Sequence, residues 1–288
     1  MIKLSKKTAL AALAFMAVGS TASAQGWPAD WTKATTPYRI VGNVYYVGSE
    51  GIASYLISSS QGHIVIDGGM PEGAPLIEAS IRKLGFKVED VKILLNTHAH
   101  IDHAGGLAQL KADTKARLYA SKADEESLEK GVHVGDNDNG AVAYPAVKVD
   151  RTVKDLQTVK LGEVAITAHL TPGHTTGCTT WTLPVVERER ALNVTFYCST
   201  TVAGNVLIGN RAHPRIVDDY RASFAKLRMI PTDVFLPNHP GFADLAGKRQ
   251  RLLRGEPNPY IDPTEMARFV DASAKAFEQE LAKQENRR

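Results

Sequence analysis

Asn96-Thr97-His98-Ala99-His100-Ile101-Asp102-His103 sets three imidazoles and a carboxylate within six residues, as His-x-His-x-Asp-His. The stretch follows an apolar, strand-like run, Val91–Leu95, and runs into Gly105-Gly106, so it is anchored at both ends. Alternate residues of an extended chain share a face, which points His98 and His100 the same way. Asp102 and His103 fall where the chain turns and face a second point nearby. Imidazole and carboxylate are the usual ligands of catalytic zinc, which keeps one position open for water. The spacing predicts two adjacent metal ions. A solvated His-rich loop is the bland alternative, and the anchoring argues against it.

Two further histidines sit in comparable settings. His174 closes the turn Thr171-Pro172-Gly173-His174, and His239 lies in Pro237-Asn238-His239-Pro240-Gly241, each directly after a strand-like run. They complete two sets of three donors: His98, His100 and His174 for one ion, and Asp102, His103 and His239 for the other. His63, His133, His169 and His213 lack such a turn and read as structural or surface residues.

Around these loops the pattern is strands then helices, twice. Strands are expected over 38–47, 52–57, 63–66, 91–95 and 117–120, with helices over 74–84, 103–111 and 122–130. The second half reads as a hairpin over 158–161 and 163–170, strands over 178–183, 191–197 and 233–236, and helices over 217–229 and 264–284. That order predicts two mostly antiparallel or mixed sheets packed together with helices outside. Residues 131–144 show little apolar periodicity; a segment of this kind is either a functional lid or a tolerated surface loop.

The ends and the composition narrow the class. Lys3, Lys6 and Lys7, an apolar run over 9–18 and Ala22-Ser23-Ala24 have the form of an export leader, residues 1–24, cut after Ala24. Residues 25–288 then form a single domain, and the periplasm is the expected destination. The chain carries 34 Lys+Arg against 31 Asp+Glu. The leader removes three of the lysines, so the mature chain is neutral and gives no footing for nucleic-acid binding. No later stretch is apolar enough to span a membrane. Cys178 and Cys198 flank strand-like runs; in an oxidising compartment a disulfide is favoured over two buried thiols or metal ligation by Cys198. Trp27 and Trp31 either flap over the site or tether the terminus, and tethering is favoured.

The pattern His98-x-His100-x-Asp102-His103, then His174, then His239, resembles the metallo-β-lactamase superfamily. The resemblance covers nearly the whole chain after the leader. It implies an α/β fold, a four-layer αββα sandwich of two mixed sheets with outer helices, and a site at the sheet edges. Many relatives, including thioesterases and lactonases, carry a metal-bridging Asp after the strand that here ends in Cys198-Ser199-Thr200-Thr201. Ser199 cannot replace it, and in this the chain is most similar to the third subclass of class B β-lactamases. The resemblance implies two Zn2+ per chain and hydrolysis of β-lactams (penicillins, cephalosporins, carbapenems) without a covalent intermediate, with antibiotic resistance as the outcome. Asp102 would orient the attacking hydroxide. Ser199 and Thr201 would contact the substrate carboxylate. Asn205 would donate near the oxyanion, or else serve as a turn residue beside Gly204. Asp67 would steady the metal loop, or else be a simple turn Asp. The protein is read as a monomer acting on a small molecule, with a lactonase or thioesterase of the same superfamily as the alternative.

Overall fold

The computed structural model describes residues 26–137 and 142–287. The expected leader, residues 1–24, lies outside the described residues, as do residues 138–141 of the 131–144 segment. A seven-stranded sheet follows chain order: β1 (Tyr38–Val41), β2 (Val44–Tyr46), β3 (Tyr55–Ser59), β4 (Gly62–Ile66), β5 (Val91–Leu95), β6 (Arg117–Ser121) and β7 (Arg151–Val153). β1 to β4 pair antiparallel, and β4 to β7 pair parallel. The parallel crossovers carry helices: α1 (Gly73–Lys83) after β4, α2 (Ile101–Ala104) and α3 (Leu107–Thr114) after β5, and α4 (Glu125–Lys130) after β6. A five-stranded sheet follows, from β8 (Thr158–Leu161), β9 (Val164–Leu170), β10 (Thr179–Glu187), β11 (Arg190–Tyr197) and β12 (Val234–Pro237), in the order β12-β11-β10-β9-β8. α5 (Ile216–Arg228) connects the parallel pair β11 and β12, and α6 (Leu245–Leu253) and α7 (Glu265–Glu285) close the chain.

The side-chain period of two explains the layers. On β4, Ile64 and Ile66 enter the core shared with the second sheet, while Val65 faces α1 and α3. On β5, Ile93 and Leu95 do the same, with Leu94 opposite. Ile77, Ile81, Leu107 and Leu110 cover the outer face of the first sheet. Trp181, Leu183, Val194 and Phe196 meet Ile66 and Leu95 from the second, and Tyr220, Phe224 and Phe277 of α5 and α7 cover its far side. Each such side chain, fully buried, contributes about 1.5–3 kcal/mol. Trp181 also donates its Nε1–H to the Asn96 carbonyl at 3.2 Å, which ties the inter-sheet core to the start of the histidine loop. Among the described residues no helix is long and apolar enough to cross a membrane.

Three expectations change in detail. The strand over 38–47 is a hairpin, because Gly42 turns the chain at φ +50°. The helix over 103–111 is broken into α2 and α3 at Gly105-Gly106, where a Cβ on Gly106 would stand 2.3 Å from the Gly68 carbonyl oxygen. β7 is an added strand with no expectation in the sequence; it is three residues long and, among the described residues, pairs with β6 at the sheet edge. Cys178 and Cys198 are disulfide-bonded, with Cα atoms 5.9 Å apart. The strands they flank, β10 and β11, are antiparallel neighbours.

Candidate metal centre

The histidine loop leaves β5 under the control of one carboxylate. Asp67, just past β4 and at φ +62°, accepts hydrogen bonds from Thr97 N at 2.7 Å, Thr97 Oγ1 at 2.7 Å and Asn96 Nδ2 at 3.1 Å. Its Oδ2 also stands 3.6 Å from His103 Nδ1, an electrostatic contact beyond hydrogen-bond reach. His98 and His100 follow, His100 on extended backbone, with their rings 4.8 Å apart. Asp102 and His103 lie in α2. The turn after β9 delivers His174, and the turn after β12, opened by Pro240, delivers His239.

All six converge. Donor atoms of His98, His100 and His174 lie within 4.8 Å of one another, as do those of His98, Asp102 and His103. Asp102 Oδ2 stands 3.1 Å from His103 Nε2 and 3.3 Å from His239 Nε2. The two sets adjoin, with the His98 and His103 ring centroids 4.4 Å apart.

The hydrogen bonds assign the tautomers. His174 Nδ1 faces the Thr201 carbonyl at 2.8 Å, and a carbonyl only accepts, so Nδ1 carries the proton. Thr97 Oγ1 gives its hydrogen to Asp67 and can only accept from His98 Nδ1, 3.1 Å away. Both Nε2 atoms are then bare lone pairs, and they face each other at 3.1 Å. Two bare lone pairs at that distance repel unless a cation lies between them. Nitrogens bound to one tetrahedral zinc at ~2.0–2.1 Å stand roughly 3.3 Å apart. The donor set therefore fits a divalent metal.

The charges of the three-histidine set agree with that use. Burial holds the His98 imidazole well below its ordinary pKa, helped by the neighbouring His103 and His174. Burial does the same for His100, and lowers His174 to about 4. The three are neutral and able to ligate at neutral pH. Burial would raise Asp102, but His103 and His239 outweigh it and hold the carboxyl well below the usual range. Burial likewise pulls His103 down, while Asp102 beside it brings it up to about 10.

Four of the six donor residues, His100, Asp102, His174 and His239, line a cavity of about 210 Å3. Its walls are Trp27, Trp31, His133, Val142, Thr201 and Ala203. A larger groove of about 690 Å3, between residues 200–208 and α7, includes none of the donors.

The walls correct several expectations. Trp31 does not merely tether the terminus: its ring lies 5.6 Å from that of His239, and Trp27 stacks on it at 5.3 Å. His133, read as structural or surface, packs edge-on against His100 with ring centroids 4.6 Å apart. No turn or strand-like run marks His133 in the sequence; its ring contact with His100 spans a long sequence separation. Thr201 reaches the cavity, whereas Ser199 is buried behind it with its hydroxyl 3.1 Å from Thr201 Oγ1. Asn205 is not aimed at the cavity. Its amide donates to the His174 carbonyl at 3.0 Å and towards the Tyr220 hydroxyl at 3.2 Å, so it fixes the His174 turn. Cys198 Sγ lies 3.7 Å from His98 Nδ1, but a disulfide sulfur has no thiolate to offer a metal.

One residue carried no signal in sequence. Asp124, 2% exposed, has its pKa pushed up to about 6 by burial, against the donors Thr175, Ala99 and Gly177.

Two mixed sheets between helices, with a His-rich metal-binding site at their edge, define a class of metal-dependent hydrolases. The family model of the metallo-beta-lactamase superfamily matches residues 47–239, and the chain belongs to that superfamily. BJP-1, a subclass B3 metallo-beta-lactamase of Bradyrhizobium japonicum, is 45% identical with a TM-score of 0.85, over 90% of this chain and 98% of that one. The native FEZ-1 metallo-beta-lactamase from Legionella gormanii is 38% identical with a TM-score of 0.85, over 90% of this chain and 99% of that one. A hydroxyacylglutathione hydrolase of Rhodopseudomonas palustris strain BisB18 is 29% identical over 76% of this chain and 72% of its own length. Another, from strain HaA2, is 30% identical over 62% of this chain and 58% of its own length.

Proposed function

We propose that this protein is an exported zinc enzyme that hydrolyses the amide bond of β-lactams and thereby confers antibiotic resistance. The observation that carries the reading is its likeness, across 98% of that chain, to a subclass B3 metallo-beta-lactamase. The end of β11 agrees: Cys198-Ser199-Thr200-Thr201 offers hydroxyls and no carboxylate to join the two donor sets.

His98, His100 and His174 would hold one ion, and Asp102, His103 and His239 the other. Bound zinc supplies hydroxide at neutral pH, by lowering the pKa of water to about 7, and polarises the carbonyl it faces. His98 and His174 present fixed lone pairs because Thr97 and the Thr201 carbonyl hold their Nδ1–H groups. Asp102 stays ionised and, as an acceptor, orients the attacking water. Thr201, with a rotatable hydroxyl on the wall, donates to the substrate carboxylate, and Ser199 Oγ accepts from Thr201 N and steadies that turn. Trp27, Trp31 and Val142 shed water from the apolar body of the substrate. The 1–24 leader would carry the chain to the periplasm.

A second reading, thioester hydrolysis, is favoured by the hydroxyacylglutathione hydrolases among the relatives. The two separate in one comparison of the zinc-loaded protein with a carbapenem, a lactone and a thioester, with and without chelator. Carbapenem turnover that the chelator abolishes is the expected result. Fast lactone or thioester hydrolysis with no β-lactam turnover would replace the first reading.

A further inference from the structure

We infer that Asp124 is a positioning residue that sets the gap between the two loops carrying His98, His100 and His174. It stands next to none of the three in sequence, yet its carboxylate binds both loops. Oδ2 accepts from Ala99 N at 3.1 Å, the peptide between His98 and His100. The same oxygen accepts from Thr175 Oγ1 at 3.0 Å, the residue after His174, and Oδ1 accepts from Gly177 N at 3.1 Å.

The local structure favours a different use of this side chain. Asp124 occupies the N-cap of α4, where an Asp ordinarily accepts from its own helix, and no such bond is made. The carboxylate is turned away from α4 and buried against the two loops instead. The fit is close: a Cβ on Gly177 would come 2.1 Å from Ser121 Oγ and 2.5 Å from Asp124 Cγ. The Ala99 peptide is held from its other end as well, since Tyr144 Oη donates to the Ala99 carbonyl at 2.9 Å. The loops are therefore clamped at the peptide between two donors and just beyond the third. Asp67 holds a different part, the Asn96-Thr97 entry and the His103 side.

This inference rests on the metal-binding reading of the three histidines and is independent of the substrate. Its test is stepwise zinc binding by the full-length protein in competition with a chromophoric chelator, backed by the cobalt(II) d–d spectrum. Asp124→Asn keeps the volume but turns an NH2 group towards a donor. It is expected to weaken the three-histidine site by roughly 10–100-fold, the usual loss when a partner behind a ligand is removed. The Asp102–His103–His239 site should keep its affinity. Thr175→Val, which deletes one donor, should weaken the same site by about fivefold, the equivalent of one hydrogen bond. Thr175→Ser should restore it, and this pair decides the matter if Asp124→Asn fails to fold. Equal weakening of both sites, or no change in either variant, would overturn the inference and leave the ligand reading intact. No zinc uptake by the unsubstituted protein would overturn both.

Discussion

The donor cluster that forms the floor of the site is closed off, with His98, His103 and His174 6% exposed or less, while Trp27 on the cavity wall is 38% exposed. The floor hangs from strand ends and buried hydrogen bonds: β5 for the first loop, β9 for His174 and β12 for His239, with Asp67 holding the first loop and Asp124 tying it to the His174 loop. The walls come from Trp27 and Trp31, from His133 and Val142, and from Thr201 and Ala203; ring contacts place the tryptophans against His239 and His133 against His100. On the proposed function, floor and walls separate two tasks: the floor would set what reaction is run, and the walls would set what is admitted to it.

The sharpest way to break this division is to remove a floor residue. His174→Ala should abolish tight zinc binding at one site and lower turnover on the order of 10³-fold, as when a preorganised electrostatic stabiliser is lost. Near-normal turnover of the purified variant would contradict the role of the floor.

Acid should also strike the floor before the walls. In the chelator-stripped protein His98, His100 and His174 have pKa values held below the ordinary 6.5, His174 at about 4. Below pH 6.5 these imidazoles take up protons in the unfolded chain that they refuse in the native state, so their contribution to stability falls as pH falls towards 4. His174 alone accounts for on the order of 3 kcal/mol. His103, brought up to about 10, acts oppositely: its contribution is lost as pH rises through that value. Thermal melts against pH should peak near 6.5, and a flat profile would contradict the burial of neutral imidazoles.

Asp67→Ala removes three hydrogen bonds from the entry to the loop but no donor to the metal. It should weaken zinc binding and activity by roughly 10–100-fold. Restoration by excess zinc would sharpen the claim that Asp67 acts through the ligands. The smallest effect belongs to the walls. Trp31→Ala should raise KM about fivefold, an aromatic contact of ~1 kcal/mol, with kcat and zinc affinity nearly unchanged. A kcat loss larger than the KM effect would mean that the walls take part in the chemistry.

The same division governs what could be read from sequence. The donors were legible because the 98–103 cluster follows the apolar run 91–95, and His174 and His239 follow strand-like runs and sit beside Gly or Pro. The two-sheet architecture was legible for the same reason, apart from the short β7 and the breaks at Gly42 and Gly105-Gly106. Asp124 was hidden because it reads as one acid in a charged helix, and its partners lie at residues 99, 175 and 177. His133 was hidden, and Trp27 and Trp31 could be named but not placed, because they touch the site across long sequence separations that no periodicity encodes. Asn205 sits in the right loop, but its amide is committed to the backbone of the His174 turn.

The central claim is tested most directly by titrating zinc into the chelator-stripped protein while following hydrolysis of a carbapenem. The account predicts no turnover without zinc and turnover that rises as zinc is added and levels off once both donor sets are filled. Hydrolysis that persists in the stripped protein, or a fully zinc-loaded protein that leaves the carbapenem intact, would contradict it.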